Sequence, residues 1–103
     1  MRQFTTIFAV RAVRESNEAR AWLATHRGAE RVAQLNDEVN AALDRLERFP
    51  KMGAPVRSRS RGPNVRRIIL DRSGYHLYYR AHLESCLIEV ICLWHEKRRP
   101  PTL

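Results

Sequence analysis

Two cysteines, four glycines and no long apolar run set the first limits on this 103-residue chain. Cys86 and Cys92 are too few for a disulfide scaffold. Placed on one strand they would stand about 20 Å apart at ~3.3 Å per residue, too far to bridge. They are expected as small apolar core residues in a reducing, cytoplasmic setting. A membrane span needs about 20 apolar residues in succession. The apolar stretch at residues 7–10 is too short even for the core of a signal peptide. The chain also lacks a Gly-rich phosphate loop, a Ser/His/Asp arrangement and any His, Cys, Asp or Glu set with ligand spacing. These absences argue against P-loop enzymes, triad hydrolases and metal centres, so neither metal nor cofactor is expected. The length supports one domain, residues 1–103. A hydrophobic content of 44% is enough for a core and too high for a disordered tail.

Acidic residues are scarce as well, 11 against 19 Lys and Arg, giving a formal charge of +8. The excess is segregated. Residues 1–50 carry eight basic and seven acidic side chains, net +1, whereas residues 51–103 carry eleven and four, net +7. Solubility alone does not require segregation, so the second half is expected to present a basic surface to a polyanion or an acidic protein.

Periodicity supplies the elements. Residues 3–8, with Thr5, Thr6 and Ile7, read as a short strand. Residues 11–25 are rich in Ala, Arg and Glu, with a narrow stripe of Ala12, Ser16, Ala19 and Leu23 beside Trp22. After Gly28, the residues Val32, Leu35, Val39, Ala42, Leu43, Leu46 and Phe49 recur at three and four, one face of a helix that Pro50 ends. Two helices with so short a link make an antiparallel hairpin. Residues 56–64 form a basic loop, and strands at 65–70, 75–81 and 86–94 follow as an antiparallel meander. Alternation places Tyr75, Leu77 and Tyr79 with Ile88, Val90 and Trp94 under the helices. His76, Tyr78, Arg80 and His82 fall on the opposite face, where recognition is expected. Tyr75, Tyr79, Trp22 and Trp94 are read as core, and Tyr78 as the exposed aromatic. Arg80 faces either a partner's carboxylate or Glu89 across the strands.

Four short motifs follow one another in the order of a known superfamily. They are Arg48-Phe49-Pro50-Lys51-Met52-Gly53-Ala54-Pro55, Val65-Arg66-Arg67-Ile68-Ile69-Leu70, Gly74-Tyr75-His76-Leu77-Tyr78-Tyr79-Arg80 and Trp94-His95-Glu96-Lys97-Arg98-Arg99-Pro100. Together they resemble the RelE/ParE toxins of type II toxin–antitoxin modules, the ParE-like branch in particular. The resemblance implies an α+β fold: an N-terminal strand, and a two-helix hairpin packed on one face of an antiparallel sheet that ends in a three-stranded meander.

It also implies function. ParE-type members bind and block DNA gyrase without being enzymes, and a cognate antitoxin neutralises them in a hetero-oligomer. On that reading Arg66, Arg67, Tyr78, Arg80, His95, Lys97, Arg98 and Arg99 are the expected target-binding residues, bordered by Arg57, Arg59 and Arg61 of the basic loop. RelE-type members instead cut mRNA on the ribosome, without metal. Arg67, Arg80, His95 and Arg98 would then be catalytic, activating the ribose 2′-OH and stabilising the phosphorane. Against that alternative, Ile69 stands where the family has a lysine, His76 where it has an arginine, and no tyrosine follows Tyr79. A histidine at a strand end such as His95 also serves as a simple hydrogen-bonding residue, and His26, His76 and His82 are weaker candidates still. A third reading is a non-toxic nucleic-acid-binding module. Membrane association is expected in none of them.

Overall fold

The computed structural model describes residues 3–57, 64–99, 101 and 103. Arg59, Arg61 and Pro100, named in the sequence reading, lie outside the described residues. The elements run β1 (Thr5–Phe8), α1 (Val10–His26), α2 (Ala29–Arg48), β2 (Ala54–Val56), β3 (Val65–Leu70), β4 (Tyr75–His82) and β5 (Leu87–His95). They form one five-stranded sheet in the order β1-β5-β4-β3-β2. The β2-to-β5 pairs are antiparallel, and β1 joins β5 in parallel, so the sheet is mixed. Among the described residues no helix is long and apolar enough to cross a membrane.

The helix hairpin turns at Gly28, whose φ of +93° is a conformation that costs a side chain little only when the side chain is hydrogen. From α2, Leu35, Ala42 and Leu46 are buried against the sheet, as the three-and-four spacing requires. From β4 and β5, Leu77, Tyr79, Ile88 and Val90 meet them. Each large side chain so buried contributes about 1.5–3 kcal/mol. α1 approaches β5 with small residues instead, burying Ala12, Ser16 and Ala19. Trp22, expected in the core, lies outside this stripe and is 48% exposed.

The link from α2 to the sheet is shaped by three residues. The buried Tyr79 hydroxyl donates to the Pro50 carbonyl at 2.8 Å and accepts the Gly53 N–H at 2.9 Å. Arg66 Nη1 donates to the carbonyls of Lys51 and Gly53 at 3.1 and 2.8 Å. A Cβ on Gly53 would stand 2.7 Å from the Tyr79 ring. Two polar side chains, through four hydrogen bonds, thus fix an irregular segment, and glycine is the residue that admits the ring. The segment then pairs with β3 as β2, an edge strand that the sequence reading did not include. Pro55 is tolerated there because an edge strand leaves one side of its backbone unpaired.

One irregularity decides the faces. Tyr78 pairs with Cys92 but Tyr79 pairs with Val90, leaving Ile91 as an extra residue on β5. Alternation therefore inverts after Val90. Leu93 and His95 turn to the helix side, and Cys92 and Trp94 to the open side, so Trp94 is not under the helices as strict alternation predicts. A second, smaller core forms on the open side from Val65, Tyr78, Ile91, Cys92 and Leu103, with Trp94 packed at its margin. Tyr78, expected to be exposed, is buried there at 5%. Cys92 is buried and Cys86 half-buried in the turn before β5.

Candidate target-binding face

The open side of the sheet carries Arg80, which alternation assigned to it, and also Arg67. Arg67 of β3 stands opposite Tyr78 of β4, and Arg80 of β4 lies between Val65 and Glu89 in the ladder. Diagonal neighbours of this kind lie about 7–8 Å apart. Among the described residues, Arg67 Nε, Arg80 Nε and Arg80 Nη2 are buried without a hydrogen-bond partner. Donors left in that state cost about 1–3 kcal/mol each, more when charged. A partner's carboxylate or phosphate oxygen reaching this face would satisfy them.

Glu89 is spoken for. Its carboxylate lies 2.9 Å from His82 Nε2, so the Arg80–Glu89 pair that the sequence allowed gives way to a His82–Glu89 pair. His76 shares the open face, opposite Ile69 and Trp94, with Glu96 at 3.9 Å. Partial burial lowers its pKa and the Arg67 charge lowers it further, while Glu96 opposes both. A histidine so placed stays neutral at pH 7.

The remaining expected residues are elsewhere. Arg66 points to the helix side and is engaged by the Lys51 and Gly53 carbonyls. His95 also faces the helix side, edge-on to Tyr75 at 5.0 Å, and its Nδ1 accepts the Lys97 N–H at 3.2 Å. The Arg98 guanidinium lies over the Trp94 ring, 3.9 Å from its centroid, and the Trp94 Nε1–H donates to the Arg99 carbonyl. Lys97, Arg98 and Arg99 are exposed beyond β5, and Arg57 is exposed after β2. The sheet thus brings together Arg67, Tyr78 and Arg80, adds His76, and separates them from Arg66 and His95. Among the described residues no three His, Cys, Asp or Glu side chains gather to hold a metal ion.

One functional-looking group escaped the sequence reading. Glu15 is buried on α1, and its Oε1 accepts the Leu93 N–H at 3.0 Å where β1 has ended and β5 has lost its neighbour. Arg11 Nε meets the other oxygen at 3.0 Å. The signal was available: Glu15 follows Ala12 at a spacing of three and precedes Ser16, inside the stripe that faces the sheet.

The chain matches the family described as "ParE toxin of type II toxin-antitoxin system, parDE" over residues 6–100. It is 36% identical over 94 residues to a curated protein named Toxin RelE1 from Caulobacter vibrioides, covering 89% of this chain and 92% of that one. The fold is similar to that in a structure titled "Chromosomal ParDE TA system from P. aeruginosa", with a TM-score of 0.70 at 15% identity over 92% of this chain and 98% of the other. It is also similar to a chain of the intact E. coli RelBE toxin–antitoxin complex, with a TM-score of 0.63 at 20% identity over 93% and 99%. With nearly the whole length matched by one toxin family, and with the hairpin, mixed sheet and Gly53–Tyr79 link in place, the chain belongs to the ParE toxin family within the RelE/ParE superfamily of type II toxin–antitoxin systems.

Proposed function

We propose that this toxin acts by binding DNA gyrase rather than by cutting RNA, and that a cognate antitoxin neutralises it in a hetero-oligomer. The observation that carries the reading is the division of the would-be catalytic set. Arg67 and Arg80 share the open face, His95 lies across the sheet, and the Arg98 guanidinium is stacked on Trp94. An acid–base residue acts only within about 2.6–3.2 Å of the proton it moves, or through one water. Unsatisfied guanidinium donors on a face with an aromatic floor suit recognition of a partner's oxyanions instead. The solved toxin–antitoxin complexes of the same fold support a protein antitoxin as partner.

Ribosome-dependent mRNA cleavage is the second reading, and one residue favours it. His76 is held neutral beside Arg67 on the open face, the state a general base requires. The relative named Toxin RelE1 points the same way. Purified protein tests both readings. Inhibition of gyrase supercoiling, with mRNA left intact on translating ribosomes, is the expected result. Codon-positioned mRNA cleavage that His76→Ala abolishes, with supercoiling untouched, would overturn the gyrase reading.

A further inference from the structure

The two edges of the sheet are unlike each other. β2 contains Pro55 and is followed by the exposed Arg57. Prolines and charges are common means by which an edge strand is kept from pairing with another chain. β1, the other edge, holds neither. Residues 3–10 carry no ionisable side chain at all, in a chain of formal charge +8. Ile7 is 44% exposed and Phe8 39%, and Val10 and Val13 continue the exposed apolar surface onto α1.

The backbone defines what this edge offers. The Thr5 and Ala9 N–H groups donate to the Cys86 and Val90 carbonyls at 2.9 Å each. Residues 5, 7 and 9 therefore turn their N–H and C=O toward β5, and Thr6 and Phe8 turn theirs outward. Among the described residues nothing bonds those four outward groups. The outward N–H before them, that of Phe4, is taken by the Glu47 carbonyl at 3.2 Å. In an antiparallel pair, residues that exchange both hydrogen bonds alternate with residues that exchange none. A two-fold axis at Ile7 sets Thr6 opposite Phe8 of a second copy, and Phe8 opposite its Thr6, so every outward group is satisfied at once. Ile7 then faces Ile7 of the second copy as the non-bonded pair, with Cα atoms about 4.5 Å apart.

Charge selects the same occupant. The cations that follow β1, Arg11 and Arg14, each lie against a carboxylate one turn on, Glu15 at 3.0 Å and Glu18 at 3.9 Å. Glu47 accepts the Thr6 hydroxyl at 2.8 Å. Two chains of charge +8 repel over much of their surface, yet here they meet with no charged side chain on either strand. A polyanion or an acidic segment has no cation to pair with on residues 3–10.

We propose that β1 is a self-association edge, through which two copies of this chain pair antiparallel across Thr6, Ile7 and Phe8 about a two-fold axis at Ile7. The two five-stranded sheets become one, and both open faces, each with its Arg67 and Arg80, lie on the same side of it. Four main-chain bonds and a small apolar patch make a weak, reversible dimer. The proposal is independent of which macromolecule the toxin targets.

Sedimentation equilibrium on the full-length protein tests it, and the expected result is a concentration-dependent dimer. Ile7→Lys sets two like charges face to face on the axis and should reduce the mass to the 12.1 kDa of one chain. Thr6→Pro should do the same, because it removes one outward N–H and keeps the Thr5 and Ile7 bonds to β5. Thermal melts show which variants fold, and either one keeps the test decisive should the other misfold. Oxidation reads the register. Ile7→Cys should yield a disulfide-linked dimer, its paired Cα atoms lying at about the separation a disulfide spans. Thr5→Cys and the wild type should yield none, since the two copies of residue 5 stand roughly 13 Å apart at ~3.3 Å per residue. A single 12.1 kDa species at every concentration reached would overturn the proposal. So would a dimer that Ile7→Lys and Thr6→Pro leave intact, or one that Thr5→Cys links and Ile7→Cys does not. Uptake of a short alternating Thr-Val peptide by a monomer, lost in Ile7→Lys, would give the edge to a strand of another protein and overturn it as well.

Discussion

On the helix side of the sheet, Arg66 spends its guanidinium on two backbone carbonyls and helps fix the link after α2. On the open side, Arg67 and Arg80 keep buried donors without a partner. Arg66 and Arg67 are adjacent in the chain, so the contrast comes from strand alternation and not from residue type. One side of the sheet is polar-satisfied and load-carrying; the other holds cations under packing, where dry surroundings strengthen any later contact with an oxyanion. Satisfied and unsatisfied guanidinium donors thereby fall on opposite faces of the same sheet.

The contrast is open to direct attack. The largest effect is expected at Leu77, fully buried between sheet and helices. Leu77→Ala should cost about 2–5 kcal/mol in chemical denaturation, whereas Cys92→Ala on the open face, a smaller side chain, should cost clearly less. Next comes Gly53→Ala, which forces a methyl group against the Tyr79 ring at 2.7 Å and should cost about 1–3 kcal/mol. Tyr79→Phe should lose stability as well, because it strands the Pro50 carbonyl and the Gly53 N–H.

The sharpest comparison uses the two adjacent arginines. Arg66→Met should lower stability by about 1–2 kcal/mol through its lost backbone bonds. Arg67→Met should leave stability unchanged or raised, and abolish target inhibition. Equal destabilisation by both would dissolve the distinction between the faces. The smallest effect concerns His76. Its folded pKa lies below the ordinary value near 6.5, so the folded state resists protonation. Stability is then full above about pH 6.5 and declines as pH falls below it. His76→Gln should flatten that acid limb in a pH series of thermal melts.

The helices and the meander were legible because each follows a simple period. The three-and-four stripe from Val32 to Leu46 names the buried side of α2, and the two-residue period names the faces of β4. What periodicity could not deliver was the change of phase at Ile91, and every misplacement on β5 follows from it. Trp94 was set under the helices because alternation was counted straight through the bulge. Tyr78 was read as exposed because nothing in strand alternation announces that Leu103 returns to cover it. Trp22 was read as core beside the stripe of Ala12, Ser16, Ala19 and Leu23, but α1 meets β5 through the small residues of that stripe and leaves the tryptophan half in solvent. Glu15 was passed over because a carboxylate amid helix formers reads as solvated; its partner, the Leu93 N–H, exists only where β1 falls short. The basic cluster beginning at Arg57 is visible in sequence, and only Arg57 of its three loop arginines falls among the described residues.

The extra residue at position 91 has a wider effect than its size suggests. Were Ile91 deleted, the last turns of the strand would exchange inside for outside: the indole of Trp94 would be driven toward α1, and the Leu93 amide would swing away from the Glu15 carboxylate. The cationic tail would then leave the sheet on a different side and forfeit its stacked tryptophan. A single inserted amino acid thus sets the heading of the basic terminus, and its removal would redirect a charged arm without touching any charge.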